Sequence, residues 1–507
     1  MAVHTVQTEQ PHQSARGNRT LLVIAVAAAL VEFAFSGRYG FHRDELYYLA
    51  AGRHPAFGYD DQPPLAPLWA GFTGLIADGW PDWLQLMLLR LPSVLALGGI
   101  VLITGRIAAE FGGGRRAQAL AGLAIAIAPA VVISGHLLST TIFDILVWSV
   151  LAWLLARWLR TRDDRLLLLL GVVAGIGLQM KNLPLIYAAG LVAGLLIAGP
   201  REVFRRWQLW AGGLIALLIW APNLWWQATH GWPQLQMTAV IREDADWGGR
   251  AGLIPFQLLL LGIPAAVVWA TGLWRLLRDP SAVRFRALGW AYVVVLLLVL
   301  ATGGREYYPA GAYPALLASG AILLDRWVGD STARRRTVGW VAGIFALSTL
   351  SLGLPVYPVS MLHSTLQPAV NYDAGETVGW PDFAAQVAAV YQGLPEAERK
   401  TAVLVAGNYG EAGALDHYGP SLGLPQVYSG HLAYWRWGPP PEGPGPVILV
   451  GQGWQEADLR RECADVTHAA TFDNGVGLDN DEQGADVWIC RGLRRTWAEL
   501  WPELRHL

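Results

Sequence analysis

Apolar runs recur along the first 354 residues of this 507-residue chain, and they constrain the fold more than any other feature. They fall near 20–36, 84–104, 117–134, 142–158, 166–180, 183–199, 208–224, 251–274, 287–302, 312–325 and 337–354. Each is long enough to cross most or all of a hydrocarbon core roughly 30 Å thick. A lipid-spanning segment must satisfy its own backbone hydrogen bonds, so these runs predict about eleven transmembrane helices. Composition agrees: 53% of residues are hydrophobic and 15% charged, against roughly a quarter charged in a soluble domain. That mixture excludes a purely soluble enzyme.

Charge divides the chain in two. Residues 1–354 carry 28 basic and 20 acidic side chains, whereas 355–507 carry 9 and 19. The net charge is only -2 and no basic block could neutralise a run of phosphates, so nucleic acid is excluded as a partner. Alternate connections hold 20 basic residues, from Arg16 and Arg19 to Arg334, Arg335 and Arg336; the opposite connections hold seven: Arg38, Arg43, Arg53, Lys181, Arg242, Arg250 and Arg305. Positive loops stay cytoplasmic. The N-terminus is therefore expected inside, and the odd span count puts residues 355–507 outside a plasma membrane. No small-residue cleavage site follows the first run, so it is expected to stay as a helix.

The tail reads as a small exterior α/β domain. Runs at 401–406, 446–451 and 485–490 suit strands, and 408–418 and 455–463 suit helices. Gly407, Gly410 and Gly413 lack the spacing of a dinucleotide fingerprint and read as a turn with close helix packing. Cys463 and Cys490, the only cysteines, could pair in an oxidising compartment or remain free thiols.

Candidate chemistry gathers in the first exterior loop, 37–83. Asp44 and Glu45 are adjacent, so they cannot share one helical face: one can enter a cavity while the other makes a structural pairing. A partly desolvated carboxylate suits a general base. The plainer reading is a solvated helix start. Asp144 lies inside the fourth span, where an ionisable group faces a cavity or a partner, with Arg90 as the alternative partner. Lys181 is the only lysine before Lys400. It suits a compact point charge for phosphate, or a residue snorkelling to the interface. Arg242 and Arg305 are further phosphate candidates. Tyr307 and Tyr308 suit a sugar or prenyl surface, or an interfacial belt. The Asp-x-Asp of Asp244 and Asp246 reads as a solvated loop. A divalent metal stays open, with His42, Asp44, Glu45 and His54 as ligand types in no fixed spacing.

His42-Arg43-Asp44-Glu45 with Tyr47 and Tyr48, followed by Asp61-Gln62-Pro63-Pro64-Leu65, resembles the bacterial glycosyltransferase family 39 group. These are C-type membrane glycosyltransferases, related to protein O-mannosyltransferases and the lipid A aminoarabinose transferase. The resemblance extends to Asp144, Gly177 through Lys181, Pro222-Asn223-Leu224-Trp225, Tyr307-Tyr308 and Tyr313-Pro314, essentially the whole membrane part.

The resemblance implies the C-type glycosyltransferase fold over 1–354 and transfer of a sugar from a polyprenyl-phosphate carrier to a glycan, lipid or protein acceptor outside. Asp44 would be the base and Glu45 its structural or metal-related neighbour, with Asp144 a second site carboxylate. Lys181, Arg242 and Arg305 would meet phosphate, and Asp61, Gln62, Tyr307 and Tyr308 would line the substrate. Many relatives have lysine where this chain has Gln62, which leaves the donor sugar open. The competing classes are a lipid-linked substrate flippase, expected to concentrate broken helices and polar groups at mid-membrane, and an oligosaccharide ligase.

Overall fold

The computed structural model describes residues 18–243 and 249–507. Arg16 and the Asp244 and Asp246 pair lie outside the described residues. Sixteen helices cover the first part: α1 (Arg19–Phe35), α2 (Arg43–Arg53), α3 (Leu65–Ile76), α4 (Asp82–Glu110), α5 (Arg115–Ala126), α6 (Pro129–His136), α7 (Thr140–Thr161), α8 (Arg165–Leu178), α9 (Pro184–Ala198), α10 (Trp207–Thr229), α11 (Pro233–Glu243), α12 (Gly249–Leu261), α13 (Ile263–Arg278), α14 (Arg286–Thr302), α15 (Tyr313–Val328) and α16 (Thr332–Gly353). Every apolar run of the sequence falls on one of these helices or on a bent pair.

Four helical stretches among the described residues are long and apolar enough to cross a membrane, and two bent pairs bring the number to six. The pairs correct the expectation of continuous helices over 117–134 and 251–274. α5 and α6 meet at 58°, where Pro129 opens α6 and cannot donate to the preceding turn. α12 and α13 meet at 112° around Gly262, whose φ of 71° favours glycine.

Small residues let the helices touch backbone to backbone. A Cβ on Gly272 of α13 would strike the Leu316 carbonyl of α15, and one on Gly320 would strike that of Val268. Lipid is as apolar as the helix faces, so such close packing, not burial from water, holds neighbours together.

α4 orients the bundle. Its first residue, Asp82, accepts from the Tyr418 hydroxyl of the C-terminal part, and its last, Glu110, pairs with Arg160. The Arg160 end carries further arginine pairs, Arg116 with Asp325 and Arg162 with Glu202. The C-terminal part thus caps the arginine-poor end.

After α16 come three short turns, α17 (Val359–Leu362), α18 (Gln367–Val370) and α19 (Tyr372–Gly375), then α20 (Trp380–Gln392) and α21 (Glu396–Arg399). A five-stranded sheet follows: β1 (Val403–Ala406), β2 (Val427–Ser429), β3 (Val447–Val450), β4 (Cys463–Thr471) and β5 (Asp486–Leu493), ordered β2-β1-β3-β5-β4. β1 lies parallel to β2 and β3, while β5 runs antiparallel to β3 and β4. The sheet's helices include α22 (Tyr409–Tyr418), α23 (Ala433–Arg436), α24 (Glu456–Glu462) and α25 (Trp497–Leu500). Cys463 and Cys490 form a disulfide with Cα atoms 5.6 Å apart.

Candidate active site

Local sequence builds α2 at the capped end of the bundle. His42 is its N-cap: its Nδ1 accepts from the Asp44 amide, and Glu45 returns a carboxylate oxygen to the His42 amide at 2.9 Å. Two acids in a first turn also suit the partial positive charge of a helix start. Successive helical residues point about 100° apart, which sends the two carboxylates to different neighbours.

Glu45 is fully buried and spent. Arg90 of α4 donates Nε to Oε1 at 2.8 Å and Nη2 to Oε2 at 2.7 Å, and the Leu138 amide donates to Oε1 at 2.8 Å. Burial alone would raise its pKa, but the guanidinium and the donated hydrogen bonds hold the carboxyl below its usual range. Arg90 also donates to the Ser36 and Gly40 carbonyls. Glu45 is thus a structural pin between α2, α4 and the segment before α7, the pairing expected of one of the two acids, and its expected place among the catalytic groups finds no free carboxylate oxygen here. Because Arg90 is engaged by Glu45, the alternative pairing of Asp144 with Arg90 is also corrected.

Asp44 instead faces a cavity of about 510 Å³. The polar end of this cavity is lined by His42, Asp44, Thr141, Tyr307 and Asp373. The rest is mostly apolar, formed by α6, the bend between α12 and α13, and α16, with Ile133, Phe256, Ile263, Phe345 and Leu352 on its walls beside Ser134, Ser348 and Thr349. Both helix breaks therefore open onto one groove.

Lys181 stands against the Thr141 and Tyr307 wall. Its ammonium donates to the Thr141 hydroxyl at 3.2 Å and lies 5.2 Å from the Tyr307 ring centroid and 5.8 Å from that of Tyr308. Both Thr141 and Tyr307 line the cavity that Asp44 faces. Asp144, one turn into α7 and buried, has Lys181 as its neighbouring charge. The acid at 44 thus lines the cavity, and the amine at 181 touches two residues of the same lining, Thr141 and Tyr307.

Asp61 sits beside them. It accepts from the Tyr47 hydroxyl at 2.9 Å, and burial with the nearby Asp44 charge pushes its carboxyl up to about 7 despite that bond. Gln62 is buried with neither end of its carboxamide hydrogen-bonded among the described residues. Arg242 is exposed and spends its Nε on the Thr302 carbonyl; like Lys181 and Arg305 it is not itself among the residues lining the cavity. Arg305 is half-buried and its charge acts on Tyr307 and Tyr308. His54, one of the metal-type residues, stacks on Trp437 with centroids 4.2 Å apart. Among the described residues, no three His, Cys, Asp or Glu side chains converge as a metal site requires.

Two residues escaped the sequence. Asp373 of α19 lies 3.6 Å from His42 Nε2, and Tyr409 of α22 donates its hydroxyl to Asp44 Oδ1 at 2.8 Å. Only the glycines around Tyr409, read as close packing, hinted at its setting.

The family model described as dolichyl-phosphate-mannose-protein mannosyltransferase matches residues 61–226. No curated protein matches the chain. Among solved structures, ArnT from Cupriavidus metallidurans bound to undecaprenyl phosphate superposes with a TM-score of 0.57 at 17% identity, covering 92% of this chain and 97% of that one. Its apo state gives 0.60 at 15% identity over 92% and 97%. Arabinofuranosyltransferase AftD from Mycobacteria gives 0.53 at 14%, covering 95% of this chain and 42% of its own. The fold is that of the C-type membrane glycosyltransferases. Within it, residues 61–226 match the mannosyltransferase family model, which covers the resemblance from Asp61 to Trp225 and not the His42 to Tyr48 stretch.

Proposed function

We propose that this chain is an integral membrane glycosyltransferase that moves a sugar from a polyprenyl-phosphate donor to an acceptor hydroxyl on the extracytoplasmic face. The observation that carries this reading is a cavity with Asp44 at its polar end, Lys181 against its Thr141 and Tyr307 wall, and a mostly apolar groove behind. A lipid-linked phosphate has the same two-part character. The ArnT structure bound to undecaprenyl phosphate supports the donor class.

In this reading the prenyl chain lies along α6, α12, α13 and α16, and its phosphate meets Lys181, with Arg305 adding positive charge. Asp44 takes the acceptor proton as the acceptor oxygen bonds to the anomeric carbon, and the bond from that carbon to the carrier phosphate breaks. Attack opposite the leaving phosphate inverts the sugar. The amine offsets the charge that develops on the phosphate.

Residues 1–354 serve as the transmembrane catalytic domain with eleven crossings, and 355–507 as an extracytoplasmic domain. The arginine-rich ends opposite the C-terminal part support a cytoplasmic N-terminus, and the disulfide suits an oxidising compartment.

The test is turnover by purified protein in nanodiscs, screened with polyprenyl-phosphate pentoses and hexoses and read as released polyprenyl phosphate. Asp44→Asn is expected to lower kcat by roughly 10² to 10⁴. Lys181→Ala is expected to lose both kcat and donor affinity. Near wild-type turnover in both variants would sink the reading.

A further inference from the structure

We propose that Tyr409, from the C-terminal part, is a positioning residue for the base: it fixes the Asp44 carboxylate with one oxygen bound and the other turned to the acceptor. This rests on the reading of Asp44 as the base. The Tyr409 hydroxyl donates to Asp44 Oδ1 at 2.8 Å, and Oδ2 takes no hydrogen bond among the described residues. A donor aimed at a carboxylate makes a charge-assisted bond, stronger than a neutral one.

The placement of that hydroxyl is built in from several sides. Asn408 caps α22 by accepting from the Gly410 and Glu411 amides, and Glu411 closes the box on the Asn408 amide, so Tyr409 is held as the first helical residue. α22 lies against α2 through two glycines. A Cβ on Gly410 would come within 2.9 Å of the Arg43 Cβ, and one on Gly413 within 3.0 Å of the Leu46 and Tyr47 backbone. The Tyr409 ring lies 5.2 Å from that of Tyr47 and 5.0 Å from that of His431, with the Arg43 guanidinium 5.1 Å from its centroid. A soluble segment therefore completes a site whose other groups come from the membrane part.

Hydrogen bonding to a carboxylate favours its ionised form, so loss of the hydroxyl acts on the acid side of the pH profile. Besides Tyr409, the titratable groups around Asp44 are His42, Arg43 and Tyr48 on its own helix, Asp61 in the following loop, Tyr307 before α15, and Asp373 of α19. All of them remain in Tyr409→Phe.

The experiment follows polyprenyl phosphate released from whichever polyprenyl-phosphate pentose or hexose the wild-type protein uses, between pH 5.5 and 9, for wild type, Tyr409→Phe, Gly410→Ala and Asp44→Asn. Tyr409→Phe is expected to lower kcat by about ten- to a hundredfold at the acid end, the range of one hydrogen bond to a charged group, with less loss at alkaline pH and donor KM within about twofold. Gly410→Ala keeps the hydroxyl but spaces α22 from α2, and is expected to reproduce the acid-side loss. Wild-type profiles in both variants, or an equal loss at every pH, overturn the positioning role while leaving Asp44 as base. Wild-type turnover in Asp44→Asn removes the base, and the inference with it.

Discussion

The interior of the helical part and its junction with the C-terminal part share close glycine packing but differ in how many directed polar bonds they add. Inside the bundle, Gly272 and Gly320 bring α13 and α15 into backbone contact, and one buried ion pair, Glu45 with Arg90, ties α2 to α4. At the junction an apolar cluster shared by both parts, with Phe41 and Leu46 against Trp380 and Leu415, and the glycine contacts of α22 on α2 are joined by polar bonds: Arg43 with Asp481, Arg436 with Asp60, the Tyr418 hydroxyl on Asp82 and the Tyr409 hydroxyl on Asp44. Lipid offers no hydrophobic reward for helix contact, so fit decides there. Outside the lipid, apolar burial and directed polar bonds act together at the junction, and one of those bonds ends on the candidate base.

The largest effect expected from breaking this contrast lies in the bundle. Glu45→Ala leaves Arg90 charged and fully buried without its partner, at a cost of about 3–5 kcal/mol. Thermal unfolding in detergent measures it; a variant as stable as wild type would remove the structural role given to Glu45. A smaller loss is expected at the junction. Asp60 is 1% exposed and accepts from Arg436 through both oxygens, leaving only Arg505 at 3.5 Å once Arg436→Ala is made. Loss of about 1–3 kcal/mol is expected, seen as faster proteolytic release of the C-terminal part while the bundle stays folded. Uniform destabilisation of both parts would show that the junction is not separately held.

The smallest effect sharpens the comparison through pH. The Asp61 carboxyl is raised from 3.8 to about 7 in the folded chain, so the folded state holds its proton more tightly than the unfolded one. Its stabilising contribution is fully present below about 3.8 and is lost as pH rises through about 7. Asp61→Asn is expected to flatten that part of the unfolding profile between pH 5 and 8. An unchanged slope would place the titration elsewhere.

Much of this was legible in the chain itself. The apolar runs located the helices because a lipid-spanning segment must be continuous and apolar, and strands β1, β3 and β5 showed as short apolar runs bounded by turns. β4 did not, because its edge position leaves polar residues such as Asp465, Thr467 and His468 facing outward. The helix breaks at Pro129 and Gly262 were hidden because proline and glycine are tolerated within apolar spans. Adjacency alone divided Asp44 from Glu45 into two roles, but not which acid took which. Arg242 shared the exterior placement of Lys181 but not its contacts with Thr141 and Tyr307.

The order of helices, the charge asymmetry and the presence of a paired acid were thus fixed by residue chemistry and spacing, since each depends on neighbours within a few turns. Which acid faces the cavity, and the arrival of Asp373 and Tyr409 beside it, were decided only by tertiary contacts. The Tyr409 bond to Asp44 spans 365 positions, and no local pattern specifies a partner that distant.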